Sequence, residues 1–248
     1  MAVRFLAVGE LLVDVVAAGA GHGARIRVRP AGSAYNAAVA AAAAGAEASV
    51  VGTVGDDAAG RMIVRELEAR GVQPLVAVVE GGSTGTFLLA DGGISVDRGV
   101  SHRPGPAGPV EADVVLVSGY LPLAGEVLAR ASGRWVMLDA ARLDELPAGG
   151  NAVVANEETA HRLTGLEGDD AARALGEGRE LACVTLGARG AVAVVGDRVE
   201  HVRPATSAAD APGSGDVFAA TLLVALAQGD DLADALTRAT GAAVDSLA

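Results

Sequence analysis

The stretch DAPGSGDVFAA, residues 210–220, places two carboxylates around a Gly-Ser-Gly turn that leads into an apolar helix. Unpaired N–H groups at a helix N-terminus, together with the helix dipole, favour an anion such as a transferring phosphoryl group. Gly213 and Gly215 lack a Cβ, so the backbone can come within contact distance of that anion. Asp216, in the first helical turn, can accept a hydroxyl proton and aim the hydroxyl at phosphorus. The spacing therefore predicts a phosphoryl-transfer centre; the plainer alternative is that Asp216 is only a favourable charge at a helix N-terminus.

The elements that must position this turn are strands and helices in alternation. Apolar runs without in/out alternation, as in parallel strands covered on both faces, lie at 3–8, 48–54, 113–118, 134–139, 151–156 and 181–186. Helical patterns lie at 33–44, 57–70, 122–131, 156–164, 169–178, 216–228 and 231–246. This alternation predicts an α/β fold with a doubly wound, mostly parallel sheet flanked by helices. We expect one domain over residues 1–248.

Two glycine-rich segments, at approximately 15–31 and 84–106, break the alternation. They contain short alternating patterns such as RIRVR, which are typical of strands with one solvated face. We therefore expect a small, shortened β flap, or lid, outside the main sheet.

Composition excludes several classes of function. The chain of 248 residues has a formal net charge of −12, which argues against nucleic acid as a partner. It contains no lysine, and a Walker-type phosphate loop requires one. No uninterrupted apolar segment reaches membrane-spanning length, so no membrane partner is expected. The single cysteine, Cys183, excludes an intramolecular disulfide framework and is consistent with a cytoplasmic location.

Several motifs of the chain resemble those of one protein family. DAPGSGDVFAA resembles the second signature of the ribokinase-like (PfkB) carbohydrate kinases, Asp-Thr-x-Gly-Ala-Gly-Asp-x-Phe. Residues 31–60 resemble the first signature, in which Gly-Gly-x-x-x-Asn precedes a helix of small residues and Val-Gly-x-Asp-x-x-Gly. Blocks that match in order and spacing are GELLVD (9–14), NEETAHRLTG (156–165) and VTLGARGAV (184–192). The resemblance covers nearly the whole chain and implies the ribokinase-like fold.

The resemblance also implies an activity: transfer of the γ-phosphoryl group of ATP to a hydroxyl of a sugar, sugar acid or related polyol. ATP and Mg²⁺ are the implied cofactors, and K⁺ is the implied monovalent cation. Many members pair through flap strands, so a homodimer is an expectation. Asp216 matches the catalytic base, and the residues matching the anion-binding turn are Gly213, Ser214 and Gly215.

Further roles follow residue by residue from the resemblance. The residues matching substrate-binding positions are Asp14, Gly32, Ser33 and Asn36, with Arg142 matching an arginine that some members use toward acidic substrates. The nucleotide-binding positions match Asn156, Thr185, Gly187, Arg189 and Gly190. Asn156 matches an asparagine near phosphate and magnesium, which implies a contact to Mg²⁺ through water. Asp210 matches a residue linked to the monovalent-cation site. The plainer alternatives are a strand end for Asp14, a solvated turn for Arg189 and a surface helix for Arg142.

The chain departs from the family pattern at several positions. Thr159 replaces the glutamate of Asn-x-x-Glu, Ala31 and Ala211 replace a glycine and a threonine, and Ala141 stands at an asparagine position. The sequence ends at Ala248, where the family pattern continues toward the adenine pocket, and we expect weaker nucleotide affinity as a result. These departures favour one alternative, a catalytically degenerate protein that binds a sugar or a nucleotide.

Two other enzyme classes are alternatives to a sugar kinase. A nucleoside kinase of the same fold is the nearer alternative, although nucleobases are commonly held by stacking and aromatic residues are only 2% of the chain. A nicotinamide-dependent reductase requires Gly-x-Gly-x-x-Gly after the first strand, and VGELLVD has none.

Overall fold

A nine-stranded sheet forms the centre of the molecule. The computed structural model describes residues 2–19, 21–90, 93–204 and 212–246. Its strands are β1 (Arg4–Val8), β2 (Leu12–Ala18), β3 (Arg25–Ala31), β4 (Glu47–Gly55), β5 (Gln73–Val79), β6 (Gly85–Ala90), β7 (Gly93–Asp97), β8 (Val110–Glu111), β9 (Val114–Ser118), β10 (Ala131–Ser132), β11 (Trp135–Asp139), β12 (Ala152–Asn156), β13 (Leu181–Thr185), β14 (Ala191–Val195) and β15 (Arg198–Val202). The central sheet has the order β15-β14-β13-β12-β11-β9-β1-β4-β5. It is parallel except at β13–β14–β15, which pair antiparallel.

Helices cover both faces of this sheet. They are α1 (Ser33–Ala43), α2 (Ala58–Ala69), α3 (Ala124–Arg130), α4 (Glu157–Thr164), α5 (Gly168–Leu175), α6 (Ser214–Gln228) and α7 (Leu232–Asp245). Alternate residues of one strand contact different layers: Phe5 and Ala7 pack in the core that holds α1, α2, α6 and α7, whereas Leu6 and Val8 pack against α3. The helices α4 and α5 close a third apolar cluster on β12 and β13. The predicted doubly wound sheet is confirmed.

Alanine lets the layers approach closely. Helix α1 buries Ala34, Ala37, Ala38 and Ala41 in the same core as α6, which itself buries Ala219, Ala220 and Ala225. A small side chain at a helix interface shortens the distance between backbones and still removes apolar surface from water. This close packing sets the N-termini of α1 and α6 beside each other, so their first turns meet at one site.

A separate four-stranded sheet lies outside the main one, in the order β3-β2-β6-β7. Strand β2 pairs antiparallel with β3 and parallel with β6, and β6 pairs antiparallel with β7. The RIRVR segment forms strand β3, but both of its faces are exposed: Ile26 is 65% and Val28 52% exposed, so the prediction of a single solvated face is wrong here. We refer to this sheet as the lid sheet.

The strands and helices predicted from the sequence all form, and the helix ends fall within three residues of those predicted. Strands β5, β14 and β15 and the two-residue strands β8 and β10 were not predicted. Strand β5 is an edge strand with alternating burial and a proline, and β14–β15 is a hairpin that turns at Gly196 with φ 57°.

Among the described residues, no helix combines the length and apolar character needed to cross a membrane.

Candidate active site

A cavity of about 420 Å³ opens where the carboxyl ends of β11, β12 and β13 meet the N-terminus of α6. Ligands of open α/β sheets bind at this edge, because strand ends and helix N-termini converge there. The cavity is lined by eight residues that the sequence had indicated: Asn156, Thr185, Gly187, Gly190, Gly213, Ser214, Gly215 and Asp216. The turn of 213–216 and the turn after β13 therefore face one space.

The anion-binding turn has the backbone that its glycines predict. Gly213 precedes α6 with a φ of 94°, a left-handed conformation that favours glycine, and a Cβ there would lie 2.7 Å from Asn36 Nδ2. A Cβ at Gly215 would meet no atom within 4 Å, so this residue faces open space. The helix begins at Ser214, two residues earlier than predicted. The N-terminus of α6 therefore lies at the cavity, where the helix dipole favours an anion.

Asp216 is bonded to Asn36 from the other helix. Asn36 Nδ2 donates to Asp216 Oδ2 at 2.9 Å, across 180 residues of sequence. Burial and the neighbouring Asp139 carboxylate raise the pKa of Asp216 well above its ordinary value, and the bond from Asn36 opposes that rise. The dipole of α6, which the sequence predicts, favours the ionised form. The second carboxylate is not predicted by the motif around Asp216.

Asp139 is the last residue of β11 and lines the same cavity as Asp216. Its Oδ1 accepts a hydrogen bond from the Ala141 N–H at 3.1 Å. Burial raises the pKa of Asp139 to about 6. Ala141 also lines the cavity and, at φ 25°, is the only non-glycine residue with positive φ in the described part of the chain. A carboxylate at the end of a predicted buried strand was the signal available in the sequence.

Tyr120 is the second residue that the sequence analysis missed. Its side chain lines the cavity. Burial raises the pKa of the Tyr120 hydroxyl, the carboxylates Asp139 and Asp216 raise it further, and Arg142 opposes them. Arg142, predicted to bind substrate, forms a side-chain hydrogen bond with Tyr120. Arg142 is itself exposed and is not among the residues that line the cavity.

The remaining substrate-binding candidates lie toward the lid sheet. Asp14, on β2, is 8% exposed and accepts from Arg29 Nη2 on β3 at 3.1 Å. Burial raises the pKa of Asp14, and Arg29 opposes that rise. Gly32 has φ 107°, and a Cβ there would overlap the Glu10 carbonyl oxygen. The Ser33 hydroxyl donates to the Ser118 hydroxyl at 2.6 Å, and Asn36 links this group to Asp216.

An ion pair between buried Glu10 and the partly exposed Arg98, the residue after β7, connects the lid sheet to this region. Glu10 is 5% exposed, and its Oε1 lies 3.4 Å from Arg98 Nε without a hydrogen bond. Burial raises the pKa of Glu10, and Arg98 opposes that rise. Arg98 Nη1 also donates to the Tyr120 carbonyl at 3.3 Å. Arg98, which follows β7, is therefore hydrogen-bonded to Tyr120, one of the residues that line the cavity.

Among the residues predicted to bind nucleotide, the loop after β13 requires a glycine at position 190. Gly190 has φ 96°, and a Cβ there would overlap the Val202 carbonyl oxygen. Arg189 forms an ion pair with Glu157 and is not among the residues that line the cavity. The guanidinium expected to face phosphate is thus paired with a carboxylate of α4 in this structure.

Asn156 is the last residue of β12, caps α4 and is exposed to the cavity. The Asn156 Oδ1 accepts a hydrogen bond from the Thr159 N–H at 2.8 Å. The buried Thr159 hydroxyl donates to the Ala141 carbonyl, so this hydroxyl is directed to the loop after β11. Among the described residues, no group of three or more His, Cys, Asp or Glu side chains could by itself hold a metal ion. A hard cation that keeps several waters and binds phosphate oxygens, as Mg²⁺ does, fits this oxygen-rich cavity. Asp210 lies outside the described residues.

A protein-family comparison identifies the class of protein. The model of the pfkB family of carbohydrate kinases matches residues 4–246, so the chain belongs to that family. The bifunctional protein HldE of Paramagnetospirillum magneticum is 31% identical over 236 residues. The match covers 81% of this chain and 48% of that protein. The chain therefore spans about half of the length of that curated relative.

Solved structures agree with the fold. Arabidopsis thaliana ribokinase complexed with ribose and ATP matches with a TM-score of 0.81 and 22% identity, over 100% of this chain and 93% of that one. Adenosine kinase from Sinorhizobium meliloti matches with a TM-score of 0.79 and 20% identity, over 98% and 93%. At these identities the likeness shows the ribokinase-like fold, as the sequence predicted.

Proposed function

We propose that the chain is an ATP-dependent phosphotransferase that moves the γ-phosphoryl group to a hydroxyl of a sugar, sugar acid or related polyol. One observation carries the proposal: the Gly213–Gly215 turn and the Asp216 carboxylate, bonded to Asn36, line one cavity at the carboxyl edge of the sheet. An anion cradle beside a carboxylate is what in-line phosphoryl transfer requires.

We propose a task for each part of the turn. Asp216 accepts the proton of the attacking hydroxyl while that oxygen bonds to phosphorus and the bond from phosphorus to the ADP oxygen breaks. The N–H groups at the start of α6 stabilise the negative charge on the transferring group. Asn36 holds one oxygen of Asp216 in place, because its amide donates at 2.9 Å. Mg²⁺ bound with ATP would neutralise phosphate charge, and Asn156 would hold it through water.

The lid sheet supplies the proposed substrate contacts. The Asp14 carboxylate, held by Arg29, can accept hydrogen bonds from two neighbouring hydroxyls of a polyol. Gly32 and Ser33 open helix α1 one turn before Asn36, so a sugar bound there lies between the lid sheet and Asp216. We propose that this sheet closes over the substrate and excludes water from the transfer.

A homodimer remains part of the proposal. The lid sheet exposes large apolar side chains: Ile26 is 65% exposed, Ile94 60% and Val96 52%. Such residues on an edge-bearing sheet favour burial against another surface. Pairing of two lid sheets would cover them.

Two alternatives are favoured by specific observations. The likeness to an adenosine kinase structure keeps a nucleoside acceptor open. Thr159 is buried and stands where the family pattern has a glutamate, and its hydroxyl is bonded to the Ala141 carbonyl. This position therefore supplies no carboxylate near Asn156, and that absence favours a protein that binds a nucleotide or sugar with little turnover.

The deciding experiment measures ADP release from ATP with ribose, fructose, keto-deoxygluconate and adenosine, each with and without Mg²⁺ and K⁺. We expect Mg²⁺-dependent ADP release with a sugar or sugar acid. Release only with adenosine would assign the nucleoside kinase. ATP binding without ADP release for any acceptor would reject the transferase and support the binding protein.

A further inference from the structure

Tyr120 joins the proposed substrate-binding group to the cavity of the proposed base. It follows β9, which lies between β11 and β1 in the central sheet. Its N–H donates to the Ser118 hydroxyl oxygen at 3.2 Å, and the same oxygen accepts from the Ser33 hydroxyl at 2.6 Å. The Tyr120 side chain lines the cavity together with Asp216. This tyrosine therefore lies at the end of the cavity where the acceptor is expected.

The backbone of Tyr120 is held on both sides. Besides the bond from its N–H to Ser118, its carbonyl accepts from Arg98 Nη1 at 3.3 Å, and Arg98 follows β7 of the lid sheet. A side chain that selects a ligand must be held within about 0.5 Å of its working position. Bonds to both backbone groups of Tyr120 meet this requirement before any acceptor binds.

The Tyr120 hydroxyl has a proton to donate. Arg142, on the loop after β11, forms a side-chain hydrogen bond with this hydroxyl. A guanidinium has donors and no acceptor, so the Tyr120 oxygen is the acceptor in that bond. The phenolic proton is therefore left for a different oxygen. Burial and the nearby carboxylates of Asp139 and Asp216 raise the pKa of the hydroxyl, so it keeps its proton at neutral pH.

We infer that Tyr120 is a specificity-determining residue of the acceptor site, whose hydroxyl donates to an acceptor hydroxyl oxygen other than the attacking one. Arg142 is then a positioning residue that acts through Tyr120, which agrees with its place outside the cavity lining. The inference rests on the proposed function. The bond exists in the ground state and in the transition state alike, so it lowers KM for the acceptor and leaves kcat nearly unchanged.

The test compares Tyr120→Phe with the parent protein, using whichever of ribose, fructose, keto-deoxygluconate or adenosine gives the fastest ADP release. Phenylalanine keeps the ring and removes the hydroxyl, so we expect KM for that acceptor to rise about three- to tenfold, the usual contribution of one hydrogen bond. The kcat and the affinity for ATP should change little.

Tyr35→Phe is the matched control. Tyr35 is the other tyrosine of the chain, and its hydroxyl is likewise bonded to an arginine, Arg70. It is 6% exposed and is not among the residues that line the cavity. Loss of this hydroxyl should leave KM for the acceptor at the parent value.

Arg142→Met separates an indirect role of this arginine from a direct one. If Arg142 acts through Tyr120, the double variant with Tyr120→Phe should have the same KM as Tyr120→Phe alone, because residues of one network are not additive. Additive losses with keto-deoxygluconate would show that Arg142 binds the carboxylate of the acceptor itself, and they would overturn the indirect role.

Two kinetic outcomes contradict the role of Tyr120 and leave the proposed function standing. One is an unchanged KM in a Tyr120→Phe protein that still binds ATP. The other is a fall in kcat with an unchanged KM, since the hydroxyl would then serve the Asp216 carboxylate and not the acceptor.

If the parent releases no ADP with any acceptor, the proposed function fails, and calorimetric titration with the same four compounds decides the inference. A compound that the parent binds, and that Tyr120→Phe binds about three- to tenfold more weakly, supports it. Equal affinity of parent and variant, or binding of none of the four compounds, overturns it.

Discussion

At the scale of single residues, the catalytic proposal depends on one hydrogen bond between two helices. Asn36 and Asp216 are far apart in sequence, and their bond of 2.9 Å exists because α1 and α6 share a core rich in alanine. Gly213 belongs to the same arrangement, since a side chain there would push against the Asn36 amide.

Replacing Asp216 by Asn should remove the proton acceptor while the cavity keeps its shape. We expect kcat to fall by about 10²- to 10⁴-fold, the range that a positioned base contributes. The affinity for ATP should change little, because the N–H groups of α6 are backbone groups. Steady-state kinetics and nucleotide titration measure both quantities, and a variant as active as the parent would contradict the assignment of the base.

Gly213→Ala should lower both stability and activity. An L-residue at φ 94° costs about 1–2 kcal/mol, and its Cβ would displace the Asn36 amide from Asp216. We expect that loss in the free energy of unfolding by urea, together with at least a tenfold lower kcat. Gly215→Ala is the control: with open space around it, its stability should be unchanged, and only phosphate binding should suffer. Equal stability losses in the two variants would refute this explanation.

At the scale of elements, Asp57 attaches helix α2 to the lid sheet. Its Oδ1 accepts from the Gly60 N–H and the Thr84 hydroxyl, and its Oδ2 accepts from the Thr84 N–H, each at 2.7 Å. Burial raises the pKa of Asp57, but these hydrogen bonds outweigh burial and leave the pKa below its ordinary value. One side chain thus caps a helix and positions the start of β6.

Asp57→Ala should therefore cost more than an ordinary helix cap. Loss of the cap and of two charge-assisted bonds to Thr84 should lower the free energy of unfolding by about 3 kcal/mol. Asp231→Ala, which removes a cap from α7 with a single bond to the Asp234 N–H, should cost about 1 kcal/mol. Urea unfolding of both variants measures the difference, and equal losses would show that the bonds to Thr84 contribute nothing.

At the scale of the whole molecule, several buried carboxyl groups work against stability at neutral pH. Burial raises the pKa values of Glu10, Asp14, Asp139 and Asp216. Each of these groups binds its proton more tightly in the folded than in the unfolded chain. Stability from such groups is present below the unfolded pKa and is lost as pH rises through the folded pKa.

We therefore expect the free energy of unfolding to fall between about pH 4 and pH 7, by about 2 kcal/mol from Asp139 alone. Carboxylates with lowered pKa values, such as Asp57, act in a different window, because their contribution is lost only as pH falls below about 4. Urea unfolding across this range measures the effect, and Asp139→Asn should flatten it. A parent stability that rises toward pH 7 would contradict the prediction.

The sequence by itself determined the order of strands and helices, the family and the turn at 213–216. These features depend on local rules: apolar periodicity, glycine where φ is positive, and a carboxylate at a helix start. Asn36 and Asp216 were both recognised from short motifs for the same reason. Strands β5 and β14 were missed although LVAVV and AVAVV are apolar runs as long as those of the predicted strands; β15, RVEHV, has polar residues in its middle.

Only the tertiary structure decided which charges meet. The pairing of Asp139 with Asp216, of Glu10 with Arg98 and of Arg189 with Glu157 joins segments that no local pattern relates. Charge effects act through space and depend on burial, so the state of each acid follows from the packing of distant elements. The raised pKa values of Asp139 and Asp216 are therefore a property of the assembled cavity.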